Sequence, residues 1–499
     1  MRNLASSRHQ AGLVWLGPVF RGVVFICAIW YAIFLVQHVA AYAGGADSSG
    51  YLNSARLFSQ GRLSTVPRLL PGQTFNEFDR LTNVPLGFVI QSDGRMTPTY
   101  PTGYPLQLTV AAAIVGWDRA AILVNLVSAL ASGLLLFACC RKLGLNSSFA
   151  LGGVALLGFC PLFLFSAFQP MSDLSAVCWC LAVLYCALRV REHWKYGLFC
   201  GIALGMAVLV RPSNLLLALP LLFAVGFHLR SWLAVGVGGL PAAAFFCFYN
   251  RRVYGSPWVT GYGDFSSVFG VANAPHNLAH FAQWIPVLLS PLIVLAVVAP
   301  FTAVVRQRGF AVLAAWAVVL VGFYAFYYHA GETWWYLRFI LPAFPVLIVG
   351  ALVVLEAAWR TARSRSVVAA AAAAGLLVLG VISWQHRQIR TLDVLHTKNG
   401  ERIYPDAARW ARENLPARSA IFCMQVSGSF FYYTDFLLIR WDQVSREKCG
   451  PLFAALARDN RPVYAVLFPF ENPEALQQIG GHWTKLSTLG IVTFWQRQP

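Results

Sequence analysis

The sequence predicts a polytopic α-helical membrane protein of about eleven spans, with juxtamembrane helices in its first outward loop and a small C-terminal α/β domain. Three observations predict this. The 499 residues are 58% hydrophobic, with a mean hydropathy of +0.59. Charged residues make up 12%, against roughly 25% in soluble chains. Apolar runs of about 20 residues, long enough to cross ~30 Å of hydrocarbon, recur from Gly22 to Trp384. The net charge of +18 does not indicate nucleic acid as a partner. The basic residues lie between apolar runs rather than on one polar face, which is how charge orients spans in a bilayer.

A basic leader (Arg2, Arg8, Arg21) precedes the first run. Ala41-Tyr42-Ala43 has the spacing of a signal-peptidase site, but the apolar run exceeds the 7–15 residues of a signal core, so the expectation is an uncleaved anchor. Spans are expected at about 22–42, 120–140, 148–167, 172–189, 196–210, 213–228, 231–249, 284–304, 309–328, 338–358 and 366–384. "YPTGYPLQLTVAAAIVGW" has about 13 uninterrupted apolar residues, or ~20 Å of helix, too short to cross. Charge supports that reading. If this segment does not cross, one side holds Arg141, Lys142, Arg189, Arg191, Lys195, Arg230, Arg306, Arg308, Arg360, Arg363 and Arg365. The other then holds Arg211, Arg251, Arg252 and Arg338. The positive-inside rule makes the first side cytoplasmic. The outward side receives the 44–119 and 250–283 loops, the turns near Asp173, Arg211 and Glu332, and the tail from about 385. Before residue 385, only Glu192 and Glu356 among the acidic residues face the cytoplasm, so chemistry is expected outside.

The expected domains are 1–384, transmembrane, and 385–499, an extracytoplasmic α/β unit. In the tail, "IYPDAARWARENLP" reads as a helix closed by Pro416, with Ala407, Trp410, Ala411 and Leu415 at helical spacing. "SAIFCMQVSG", "FLLIRW", "PVYAVLFPF" and "IVTFWQ" read as strands of one sheet. Nine of the eleven cysteines (Cys27 to Cys247) fall in apolar runs as small hydrophobes. Cys423 and Cys449 could pair in an oxidising compartment.

Asp47, in "AYAGGADSSGYLNSARLFSQGRLS", opens an amphipathic stretch. Tyr51, Leu52, Ala55 and Phe58 share one face; Asn53, Arg56 and Gln60 share the other. Asp47 reads either as an N-cap or as a well-oriented base. Three outward arginines stand in apolar or aromatic surroundings: Arg338 after Trp-Trp-Tyr, Arg211 in "LVRPSN", and Arg56. Each alone could snorkel, but several opposite one carboxylate suit a phosphate. Asp173 could cap its helix, and Glu332 could balance Arg338. His276 and His280 are four apart without the glutamate of an HExxH site. The glycines of "YGSPWVTGYGDF" read as turns. No paired acidic motif supports a divalent metal, and no cofactor is required.

At these residues the chain resembles the GT-C superfamily of integral-membrane glycosyltransferases, in the branch of protein O-mannosyltransferases and lipid A aminoarabinose transferases. The marks are "GGADSSGYL", "YPTGYPLQLTVAAAIVG", "QPMSDLSA", "LVRPSN", "YNRRVYGSPWVTGYG" and "WWYLRFILPAFP", in this order over about residues 20–385. The resemblance implies inverting transfer of a sugar from a polyprenyl-phosphate donor to a lipid, glycan or protein acceptor on the outer face of a bacterial inner or plasma membrane. It makes Asp47 the general base and brings Arg338 to the donor phosphate; Arg211 and Arg56 remain phosphate-binding candidates from the charge pattern. Tyr51, Tyr100, Tyr104, Asp173, Glu332, Trp335 and Tyr336 complete the candidate substrate site. Many relatives carry a second acid directly after the first; here Ser48 follows. A single acid with several arginines fits expulsion of a phosphate better than glycoside hydrolysis, which usually needs two carboxyl groups. The rivals are a flippase or transporter, which would place ionisable residues mid-span, and a scaffold whose tail binds a partner.

Overall fold

Prolines and left-handed glycines cut the apolar sequence into helices, because the first removes a backbone donor and the second ends a turn cheaply. The computed structural model describes residues 4–263, 265–301 and 308–498. Among these, six helices are long and apolar enough to cross a membrane: Arg21–His38, Trp117–Lys142, Ser172–Arg189, Leu229–Tyr254, Trp334–Arg365 and Val367–Thr391. Ser147–Gly158 and Pro161–Ala167, bent by 60°, make a seventh if they count as one span.

The sequence count of eleven is higher because four of its spans fall on shorter helices: Lys195–Val210, Pro212–Val225, Pro291–Phe301 and Gly309–Ala325. Span 284–304 is divided at Ser290, whose φ of 129° ends Ala274–Leu289 before Pro291 starts a new turn. The end of that span, with Arg306, lies outside the described residues, as does Arg2 in the leader. The segment read as non-crossing is the 13-residue helix Gly103–Val115, stopped by Gly116 at φ 81°. It is wedged between two neighbours. Its Tyr104, Leu108 and Ala111 are buried with Tyr51, Leu52 and Ala55 of the helix Ala46–Ser59 and with Ala120, Ala121 and Val124.

Charges gather at the two ends of the bundle. At one end Lys142 pairs with Glu192, Arg189 bonds Glu192 at 2.6 Å, and Arg360 bonds Glu356 at 2.6 Å. The other end holds Asp47, Asp173, Arg211 and Arg338.

Beyond the last long helix, Thr397–Asn414 buries Tyr404, Ala407, Ala408 and Ala411. The first loop contains a small hairpin, β1 (Phe88–Ile90) against β2 (Met96–Pro98). The tail forms a five-stranded sheet from β3 (Ala420–Cys423), β4 (Leu437–Arg440), β5 (Val463–Leu467), β6 (Trp483–Leu489) and β7 (Val492–Arg497). The strand order is β4-β3-β5-β7-β6; β3 runs parallel to β4 and β5, and β7 antiparallel to β5 and β6. Four strands sit where the sequence suggested. The fifth, β6, was not anticipated because it is an edge strand with polar residues on its open face. Cys423 and Cys449 do not pair: both are free thiols, buried in different core layers of the tail.

The tail is fastened to the first loop. Ala43 N–H donates to the Tyr433 hydroxyl (2.9 Å), Asn53 Nδ2 to the Gly428 carbonyl (3.1 Å) and Asn83 Nδ2 to the Leu438 carbonyl (2.9 Å). The Leu86 N–H donates to Ser427 Oγ (3.0 Å), and Arg440 N–H to the Thr82 carbonyl (2.7 Å).

Candidate active site

Gly44 and Gly45 lead into the helix Ala46–Ser59, and the N-cap is Gly45, with no side-chain cap. Asp47 is therefore not the cap that one reading proposed. It stands in the first turn, where the helix dipole favours a carboxylate, and its side chain reaches away from the helix. Arg338 donates to Asp47 Oδ2 at 2.7 Å across 291 residues of sequence. The Asp47 side chain keeps 28% of its surface exposed and that of Arg338 only 13%, so the pair faces solvent through the carboxylate. Burial pushes the Asp47 carboxyl up, but the Arg338 charge, hydrogen bonds from Tyr100 and Arg338, and the Arg211 charge together hold it below the usual value. It is ionised at neutral pH.

Backbone chemistry aims the two arginines. Pro212 keeps Arg211 out of the helical region. At φ −148°, ψ 112° Arg211 ends the helix Lys195–Val210, and its guanidinium pairs with Asp173 while donating to the Arg338 carbonyl at 3.0 Å. Asp173 sits in the first turn of Ser172–Arg189 but, like Asp47, gives no cap bond. Arg338 lies in a 3-10 helix, Trp334–Ala343. Such a helix eclipses residues i and i+3, which stacks Tyr336 on Phe339 (5.9 Å, 13° between planes). Arg338 rests over both rings, at 5.5 and 5.3 Å, and Arg211 approaches Phe339 at 5.6 Å. Two arginines thus share an aromatic floor.

Tyrosines make the opposite wall. Tyr51 Oη bonds Ser172 Oγ at 2.7 Å, tying the Asp47 helix to the Asp173 helix. The Tyr100 ring lies 4.8 Å from Tyr51 and directly on Gly50, where a Cβ would stand 2.2 Å from it.

The remaining candidates are placed less directly. Tyr104 is wholly buried and gives its hydroxyl to Asn125 at 2.9 Å, a structural bond. Trp335 stacks on Phe165 at 6.4 Å. Glu332 bonds His329 rather than Arg338. Arg56 is not brought to Asp47: its guanidinium lies 3.4 Å over the Tyr432 ring and donates to the Tyr432 carbonyl at 2.8 Å. Its nearest partners are in the tail, which the helical periodicity of its own segment could not show. His276 bonds the Gly331 carbonyl at 3.1 Å.

Sequence reasoning did not single out Tyr262, Met171 or Glu401. Tyr262 lies 6.5 Å from Tyr100, on a loop whose Gly261 would put a Cβ 2.2 Å from the Thr99 carbonyl oxygen. That glycine serves a close approach rather than only a turn. Met171 Sδ accepts from Arg338 at 3.5 Å. A cavity of about 390 Å³ lined by Arg191, Phe227 and His228 is remote from all of this. Arg191 follows the far end of the 18-residue helix that begins at Ser172, ~27 Å away by helical rise.

Residues 101–249 match the profile of the family described as Dolichyl-phosphate-mannose-protein mannosyltransferase. No curated protein matches by sequence. Among solved structures, ArnT from Cupriavidus metallidurans bound to undecaprenyl phosphate aligns over 95% of this chain and 97% of its own, with a TM-score of 0.60 and 14% identity. Its apo state gives 0.61 over 96% and 98%, also at 14% identity. The Archaeoglobus fulgidus oligosaccharyltransferase, tethered with an acceptor peptide, aligns over 97% of this chain and 75% of its own, at 0.58 and 12% identity. The chain thus has the fold of the GT-C integral-membrane glycosyltransferases, the superfamily that its sequence motifs resemble.

Proposed function

We propose that the chain is an inverting glycosyltransferase that moves a sugar from a polyprenyl-phosphate donor to an acceptor on the outer face of the membrane, with Asp47 as general base. The observation that carries this reading is the Asp47–Arg338 pair, a partly exposed carboxylate joined to a guanidinium on an aromatic floor. In a single displacement, the acceptor hydroxyl oxygen attacks the anomeric carbon as the bond to the phosphate oxygen breaks. The hydroxyl proton passes to Asp47. The leaving phosphate gains charge, which Arg338 and Arg211 neutralise in place of a proton. A carboxylate held ionised by a neighbouring arginine is a weak base, so it takes the proton late, once the new bond has acidified the hydroxyl.

The undecaprenyl phosphate bound to ArnT supports a lipid-linked donor, and the acceptor peptide tethered to the archaeal oligosaccharyltransferase supports a separate acceptor. A transporter is less favoured, because the clustered charges lie at helix ends rather than mid-span. No metal or other cofactor is part of the proposed step. We assign the bundle end bearing Asp47, together with the tail, to the extracytoplasmic side of a bacterial inner or plasma membrane.

Asp47→Asn keeps the shape and a hydrogen-bond acceptor for Arg338 but removes the base. The expected loss of transfer is about 10²–10⁴-fold, with unchanged membrane insertion. The readout is mass spectrometry of envelope glycolipids and glycoproteins from cells with the chain, without it, and with the variant. Loss of one sugar unit in the last two samples supports the reading; full product from Asp47→Asn overturns it.

A further inference from the structure

Glu401 takes no part in the step above, yet it occupies an unusual place. It belongs to the polar tail helix Thr397–Asn414, and its carboxyl lies against the backbone that introduces Asp47. A Cβ on Gly44 would stand 1.7 Å from Glu401 Oε2 and 2.9 Å from Cδ, so a side chain there would push the Glu401 carboxyl out of its seat. The nearby Gly45 backbone N–H favours the ionised form of the carboxyl. Oε2 is buried and, among the described residues, has no hydrogen-bond partner.

Among the described residues, no cation compensates for this burial. Lys398, one turn earlier, donates to the Gln37 carbonyl at 3.0 Å, and Arg402 bonds Asp406 at 3.1 Å. From the first loop the facing charge is Asp47, which is of like sign. From its own helix it is Tyr404, whose hydroxyl takes a bond from Gln425 at 2.9 Å, with Glu471 behind it. Burial above all, helped by the Asp47 charge, pushes Glu401 up to about 7 against the Gly45 N–H.

We propose that Glu401 is a positioning residue for the transfer reaction: its buried carboxyl seats the Gly44–Gly45 turn, and that turn sets the direction in which Asp47 enters the site. The inference rests on the reading of Asp47 as the base. An ionised Glu401 must regain water, which means leaving Gly44, and the turn then loses its seat. The sign follows from linkage. The folded carboxyl holds its proton above its ordinary value of 4.5. The stabilisation this gives is therefore full below about pH 4.5 and is lost as pH rises through about 7.

The test uses the full chain in lipid nanodiscs. Amide hydrogen exchange of the segment 41–50, corrected for its intrinsic pH dependence, is followed from pH 5.5 to 8.5. In the wild type, exchange rises about tenfold per unit from pH 5.5 to about 7 and levels off above it; in Glu401→Gln it stays flat. A flat wild type, or a Glu401→Gln that follows the wild type, overturns the proposal. In cells, Gly44→Ala, which displaces the Glu401 carboxyl, and Glu401→Ala, which removes it, each lower the product, whereas Glu401→Gln keeps it. Full product from Gly44→Ala alone overturns the proposal. Full product from Asp47→Asn overturns instead the reading of Asp47 on which the proposal rests, whatever the exchange data show.

Discussion

Asp47 and Arg338 could each be picked from the sequence as charges beside apolar runs, but their bond could not, since it joins two segments 291 residues apart. Asp173 and Arg211 show the same thing: each reads as a helix-end charge, and together they form a buried pair, with side chains 2% and 11% exposed. Removing one member leaves the other charge unpaired in a dry place. Asp173→Leu is therefore expected to cost about 3–5 kcal/mol, measured by chemical unfolding in detergent. Asp173→Leu with Arg211→Met should recover much of that loss while leaving transfer abolished, because the phosphate loses a cation. Arg56 makes the opposite case. Its contacts are with Tyr432, so Arg56→Ala should leave the donor KM within about twofold while lowering stability by about 1 kcal/mol. A shifted KM would return Arg56 to the donor site. Glu401 escaped the sequence reading for a physical reason: a charged residue in a polar helix looks solvated until a neighbouring glycine is seen to cover it.

At the scale of elements, the apolar helices and four of the tail strands were legible, since apolar periodicity, β-rich runs and proline placement mark them. Lengths were less so. Hydropathy does not register a break such as Ser290, whose positive φ divides one expected span. Nor does it distinguish the 3-10 geometry of Trp334–Ala343 from an α-helix, although the stacked floor under Arg338 depends on that geometry. Close approach was equally hidden. At Gly428 a Cβ would stand 2.3 Å from Ser49 Oγ and 2.7 Å from the Leu86 carbonyl oxygen, so Ser427–Tyr433 packs backbone to helix against the Asp47 element. Gly428→Ala is expected to cost about 1–3 kcal/mol through overpacking and to reduce transfer at least tenfold, read by unfolding and by product yield. If both parameters hold at wild-type values, this contact does not position Asp47.

Over the whole molecule, the membrane class and a tail containing one sheet follow from composition and strand pattern. The grip of the tail on the first loop does not, because it is made largely by backbone carbonyls that no residue type advertises. One charged fastening is sensitive to acid. Hydrogen bonds from Lys448 and then Ser445 hold Asp79 down at about 2, against an ordinary 3.8. A depressed carboxyl contributes its stability above the ordinary value and loses it as pH falls through the folded one. Protease cleavage within residues 60–99 should therefore increase between about pH 4 and 2, and Asp79→Asn should show part of that increase at neutral pH. The bonds from Ala43 to Tyr433 and from Asn53 to Gly428 have a further consequence for biosynthesis. Asp47 acquires its final surroundings only after residues beyond the four-hundredth have folded against the first loop. A nascent chain interrupted before then would hold the Asp47 helix without the tail contacts that seat it.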